Sequence, residues 1–270
     1  MAISDISLTS GMRSNLVSLQ GTVELLNRTQ ERLATGKRVN SPLDNATNYF
    51  VAKSHMDRAT DLSVRKDGMG EAIQTVKAAN AGITAITDLI ASAKGIAQSA
   101  LSAGTTERAA LATQFGQIRT QIDELAKDSG YKGTNLLDSG TLQVKFNEDG
   151  TNALSIAGFD ATTSGLGISA AAGSWASDTN INAAVANLDT ALTTLRSEAK
   201  TLSSNLNIIT TRNTFTQGMI NVLTEGATNL TAADTNEEGA NMLMLQVRQS
   251  LGTTALSLSA QAAQSVLRLF

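Results

Sequence analysis

From Val185 to Leu230 the chain sets a seam residue at alternating steps of three and four, without a break. The seam reads Val185, Leu188, Leu192, Leu195, Ala199, Leu202, Leu206, Ile209, Asn213, Thr216, Ile220, Leu223, Ala227 and Leu230. A 3.5-residue period keeps one stripe on one side of a helix, the pattern of a coiled coil. At 1.5 Å per residue the stripe is roughly 70 Å long, several times an ordinary globular helix. Only another long helix can cover it. Asn213 and Thr216 are its polar members, and a buried Asn in such a seam commonly fixes register.

The remaining segments supply partners. Met12, Leu16, Leu19, Val23, Leu26, Gln30 and Leu33 repeat the same spacing and predict a second coiled-coil helix. The loop at 34–40 interrupts it. Ser41-Pro42-Leu43-Asp44 reads as a fresh helix start, with Ser41 as cap, Pro42 at the first helical position and Asp44 facing the positive helix end. A helix from about Leu43 to Ala103 carries Ile73, Val76, Ile83, Ile86 and Ile90 on its apolar face. Gly104-Thr105-Thr106 breaks it. Leu111, Phe115, Ile118, Ile122 and Leu125 then form a shorter helix expected to fold back antiparallel.

Leu142, Val144 and Phe146 alternate with polar residues, Asn147–Gly150 offers a turn, and Leu154 and Ile156 resume the alternation. That pattern predicts a β-hairpin. Residues 157–177 are rich in Gly, Ser and Ala and read as loop or weak strand. Capping-box patterns at Thr231–Asp234 and Asp234–Glu237 open a final helix. Between Ala240 and Phe270 its only charges are Arg248 and Arg268. Met244, Val247, Leu251, Ala255, Leu258, Ala262 and Leu269 form one stripe, and Leu243, Leu245, Leu256, Val266 and Leu267 lie off it. A helix apolar on several sides is buried on several sides. The two chain ends therefore read as paired helices whose outer faces meet other molecules. The expected fold is mainly α, with long antiparallel helices in a coiled-coil bundle, a small β-hairpin and paired terminal helices.

Composition excludes most chemistry. With no Cys and a single His, His55, the 270 residues hold no thiolate, no disulfide and no two-histidine metal pair. His55 reads as an exposed or interfacial side chain, because catalysis needs an oriented partner. Gly36-Lys37-Arg38 lacks the earlier glycine of a phosphate loop, and Gly165-Leu166-Gly167 does not complete a dinucleotide fingerprint. Glu237-Glu238 is expected to complement a helix dipole rather than do acid–base work. Aromatics make up only 3%, and 21 Lys and Arg against 24 Asp and Glu leave a net charge of −3. No basic face for nucleic acid is expected from that balance. No run approaches a membrane span, and the start, Met1 to Ile6, has neither the basic nor the apolar region of a cleaved secretory signal. No catalytic, cofactor or metal site is expected.

Three blocks carry a family resemblance. The run from Arg32 to Ala46, through Thr35-Gly36-Lys37-Arg38-Val39-Asn40-Ser41 and Asp44, resembles the N-terminal signature of bacterial flagellins. Ser129–Asp138 resembles the family's passage from the short helix into its strands. The tail Gln261-Ala262-Ala263-Gln264-Ser265-Val266-Leu267 resembles its closing motif, with Ala263 where Asn is usual. The tail is most similar to the alphaproteobacterial branch.

The resemblance implies a minimal flagellin, with about 40 residues between Leu137 and Asp178 in place of large outer domains. It implies residues 1–43 and 231–270 as the two halves of an inner coiled-coil domain. Residues 44–230 would form an outer bundle with the hairpin region at about 138–177. The polymerisation interface would comprise Leu16, Leu19, Val23, Leu26 and Leu33 with Met244, Val247, Leu251, Leu258, Val266 and Leu269. Implied partners are further flagellin subunits, an export chaperone, and hook-junction and cap proteins. The implied location is the extracellular filament that drives swimming, reached by flagellar type III export without a cleaved signal. Lys94-Gly95-Ile96-Ala97 would occupy the place of the Arg-Glu-Leu-Ala patch that an innate-immune receptor reads in many flagellins. The alternatives are a hook–filament junction protein, which shares similar terminal helices, and a lipid-binding amphipathic protein.

Overall fold

A computed structural model describes residues 10–267. In chain order the elements are α1 (Ser10–Thr35), α2 (Ala46–Ser102), α3 (Thr105–Asp128), β1 (Thr141–Lys145), β2 (Ala153–Ala157), α4 (Asp178–Thr231) and α5 (Thr235–Leu267), with one 3-10 turn at Ala172–Trp175. The chain divides into two compact units. One is Arg58–Asn221; the other joins the residues up to Asp57 with those from Val222 onward. The divisions fall inside α2 and α4, where an unbroken helix gives no turn signal.

Within Arg58–Asn221, α2 and α4 run antiparallel. Near one end the Lys66 ammonium donates to Gln217 Oε1 at 2.7 Å and Asn213 donates to the Lys66 carbonyl at 3.2 Å. Further along, Lys94 pairs with Asp189 at 2.5 Å. The α4 seam packs as its spacing predicts: Leu188, Leu195, Leu202, Ile209 and Thr216 are buried, and Asn213 is half-buried. Val76, Ile86 and Ile90 of α2 and Phe115 and Ile122 of α3 complete the core. Helix α3 folds back on α2. Arg108 near its start donates to the carbonyls of Leu101 and Ala103, and its end, at Ser129, lies against Gly82.

The hairpin register pairs Leu142 with Ile156 and Val144 with Leu154, so one face of the ribbon is apolar. Asn147 closes the turn by accepting from the Asn152 N–H at 3.0 Å and donating to Thr151 Oγ1 at 2.7 Å. Arg58 forms an ion pair with Glu148, Arg65 donates to the Glu148 carbonyl, and Arg212 lies 5.3 Å from the centre of the Phe146 ring.

Residues 158–177 are irregular, as read, yet they contribute core. Leu166, Ile168 and Trp175 are buried, and the Trp175 ring lies 4.9 Å from that of Phe115. Arg119 donates to the Ile168 carbonyl, and Asp123 accepts from the Thr163 N–H at 2.6 Å and from its hydroxyl. Gly173, Ser174 and Trp175 all adopt left-handed backbone, with φ of 55°, 50° and 57°. Such a turn is invisible to any periodicity test.

Two local expectations are corrected. Helix α2 starts at Ala46, not beside Leu43. Asp44 Oδ2 accepts from the N–H groups of Asn40 and Ser41 and from the Ser41 hydroxyl, and so closes a turn instead of a helical first position. Asn45 takes the cap, its Oδ1 accepting from the Asn48 N–H at 3.0 Å. On α1, Gln30 is exposed and Thr29 is buried in its place. The stripe slips by one residue there, which keeps a long amide out of a packed face.

Candidate assembly interface

The unit formed by the two chain ends is built on α1 and α5, which pack antiparallel. Leu19 lies against Gly252, where an added Cβ would sit 3.0 Å from Leu19 Cδ1. Thirteen residues further along α1, Arg32 Nη1 donates to Glu238 Oε1 at 2.8 Å. Asp234 caps α5, its carboxylate accepting from the Asn236 and Glu237 N–H groups. Below the pair the two connectors are stitched together: Arg38 and Val39 donate to the Thr231 carbonyl, and Ala233 donates to that of Gly36. Gly36 has φ of 66°, a conformation costly for a residue with a Cβ. The Ser41 N–H, joined by those groups that close its turn, holds the Asp44 carboxyl below the ordinary carboxylate range, and Arg32 adds to the effect. Here too Ala52 of α2 and Leu223 and Ala227 of α4 are buried, and half-buried His55 lies beside Gly226.

The expected interface residues separate into two groups. Leu26 is buried and Leu16, Leu19, Val23 and Leu33 are half-buried, on the side of α1 that meets α5. Met244, Val247, Leu251 and Leu258 are exposed by 45%, 59%, 65% and 61%, so most of their surface is left open, with Leu251 at the edge of the groove between α1 and α5. The side chain of Val266 and all of Leu269 lie outside the described residues. What α5 turns to α1 is another stripe: Glu238, Leu245, Gly252 and Leu256, with only Leu245 and Glu238 fully buried. Sequence reasoning missed it, although the spacing of seven between Glu238, Leu245 and Gly252 was a readable signal.

In the other unit, Lys94 holds Asp189, an added Cβ at exposed Gly95 would meet nothing within 4 Å, Ile96 is half-buried and Ala97 is fully buried. Among the described residues no three His, Cys, Asp or Glu side chains gather as a metal site, and no helix is long and apolar enough to cross a membrane.

Residues 3–141 match the bacterial flagellin N-terminal helical region, and residues 185–270 match the bacterial flagellin C-terminal helical region. The chain belongs to the bacterial flagellin family. It is 31% identical to flagellin FljM and 31% identical to flagellin FljK of Caulobacter vibrioides, each aligned over the whole of both chains. A flagellin of Brucella melitensis is 30% identical, with 99% of each chain covered. Among the described residues no large domain is inserted between the hairpin and α4. As a member of the family it is a structural subunit of the extracellular flagellar filament, not an enzyme.

Proposed function

We propose that this flagellin polymerises through the paired chain ends, with the open stripe of α5 as the surface that other subunits cover. The observation that carries the reading is the exposure of Met244, Val247, Leu251 and Leu258 on a helix almost without charge. Such a patch on a soluble chain marks an interaction surface. Leu16, Leu19, Val23, Leu26 and Leu33 act indirectly, by holding α5 in place. Residues 1–43 and 231–270 form the assembling inner domain, and 44–230 the outer one. Export proceeds through the flagellar type III channel without a cleaved signal. An export chaperone covers the apolar tail beforehand, and hook-junction and cap proteins bound the growing filament. The Lys94–Ala97 patch stimulates the flagellin-sensing receptor weakly, because Lys lacks the planar fork of Arg and Gly95 has no carboxylate.

Deleting residues 241–270 tests the assembly surface. The truncated chain is expected to stay soluble, to keep the helical content of Arg58–Asn221, and to form no filaments when seeded with filament fragments. Leu258→Asp is expected to act similarly, since it puts an unpaired charge into the covered face. Normal filaments from the truncated chain would sink the reading.

A further inference from the structure

Asn213 of α4 donates to the Lys66 carbonyl of α2 at 3.2 Å. In a helix that carbonyl is also the acceptor for the N–H four residues on, which here belongs to Gly70. A side chain that intrudes on one rung of the helical ladder is a known cause of bending. The rung it intrudes on is already weak. Gly68 and Gly70 lie in the interior of α2, and an added Cβ at either would meet nothing within 4 Å. On α4, Gly218 is equally free of contacts and follows Gln217, the residue that accepts from the Lys66 ammonium. Each such glycine weakens its stretch of helix about fivefold relative to alanine. No close approach accounts for any of the three, in contrast to Gly82, where an added Cβ would fall on Ser129 and Leu137.

Packing is loose at the same level. Asn213 and buried Thr216 interrupt the apolar seam of α4. A cavity of about 170 Å³ opens beside Thr216, with Leu62, Phe146, Phe215 and Met219 in its wall. Met69, fully buried between the glycines, and Met219 are unbranched side chains able to refill a gap that changes shape. Further along α2 the core is closed, and Val76, Ile86, Ile90 and Ala97 are wholly buried. Ties from α2 to the strand region sit on either side of the level. Glu148 takes Arg58 and Arg65 on one side, and Glu71 takes Tyr131 and Lys132 on the other.

We propose that this level is a flexing joint, at which α2 and α4 bend together about Gly68–Gly70 and Gly218 while the Asn213–Lys66 hydrogen bond keeps them in register. The proposal needs only that the chain is a filament subunit, and not the assembly surface proposed above. When a filament of identical subunits bends under load, those on its outer side lengthen and those on its inner side shorten. A closed core resists that strain, so the strain collects at the joint.

The test is Gly68→Ala combined with Gly70→Ala in the full-length chain, read by amide hydrogen exchange in the monomer and by filament persistence length in electron micrographs. In the unsubstituted chain the amides of 68–72 are expected to exchange about tenfold or more faster than those of 83–90. The double variant is expected to slow them by about tenfold or more and to raise the persistence length about twofold or more. Folding is retained, since neither added methyl meets a neighbour. Gly218→Ala, on the other helix, is expected to stiffen the filament in the same direction. Even protection along α2, or double-variant filaments that bend as readily as before, overturns the joint and leaves the assembly surface untouched. Truncation and Leu258→Asp, which strike that surface, are expected to leave the exchange of 68–72 unchanged, and a change there overturns the independence of the two.

Discussion

Arg32 of α1 donates to Glu238 of α5 at 2.8 Å, and Glu238 is 6% exposed. The pair bridges the two ends of the chain across 206 positions. It is imperfectly satisfied, because Arg32 Nε is buried without an acceptor. A buried ion pair of this kind is dearer to break than to replace. Removing one partner strands a charge, whereas two apolar side chains of similar volume do not.

Arg32→Ala is accordingly expected to destabilise the α1/α5 pair by about 3–5 kcal/mol. Arg32→Met together with Glu238→Leu is expected to recover most of that loss. Amide hydrogen exchange along α1 and α5 measures both. Equal protection in Arg32→Ala and the unsubstituted chain would show that the pair contributes nothing.

Two glycines of α2 give opposite expectations. At Gly82 an added Cβ would fall on Ser129 and 2.6 Å from Leu137 Cδ1, whereas at Gly68 it would meet nothing within 4 Å. Gly82→Ala is expected to cost about 1–3 kcal/mol by overpacking the α3 end against α2. Gly68→Ala is expected to gain up to about 1 kcal/mol through helix propensity alone. Denaturant melts of the two variants are the measurement, and a shared sign would refute the packing argument.

The hairpin turn is expected to weaken in acid. Arg58, assisted by a backbone N–H, holds the Glu148 carboxyl below the ordinary glutamate range. A carboxyl whose folded pKa is depressed adds stability above its unfolded value, about 4.3, and loses it as pH falls through the lower folded value. Arg58 is half exposed, so solvent screening keeps the effect below about 1 kcal/mol. Thermal melts from pH 7 down to pH 3 should show a shallower acid decline in Glu148→Gln than in the unsubstituted chain. Parallel curves would remove Glu148 from the account.

Receptor stimulation is expected to rise when Lys94→Arg and Gly95→Glu are combined, because the pair of changes supplies both the planar donor fork and the carboxylate. A reporter assay for the flagellin-sensing receptor, run against an Arg-Glu-Leu-Ala flagellin, decides this. An unsubstituted chain as potent as that reference would contradict the reading of this patch.

Much of the architecture is local in origin. The seam from Val185 to Leu230 shows itself because a 3.5-residue repeat needs no partner to be visible, and the structure buries Leu188, Leu195, Leu202, Ile209 and Leu223 along it. The alternation of Leu142 and Val144 with Leu154 and Ile156 revealed the hairpin and its register in the same way. The helix start illustrates the limit of such rules. Ser41 and Asn45 both satisfy the chemistry of a cap, and the choice fell to Asn45 because Asp44 was already engaged by Asn40 and Ser41.

By itself, then, the sequence determined the helices, their approximate lengths and the hairpin, all of which follow from spacing and side-chain type along one segment. Tertiary structure decided what depends on two segments meeting. Helix α5 is apolar on several sides, so its own pattern could not say which side α1 takes. The close approach of Leu19 to Gly252 and the burial of Glu238 against Arg32 turn Leu245 inward and leave Met244, Val247, Leu251 and Leu258 open. Trp175 likewise entered the core through a left-handed turn with no period to betray it. Periodicity reports which faces of a helix avoid water, but only a neighbour's shape and charge select the face it covers.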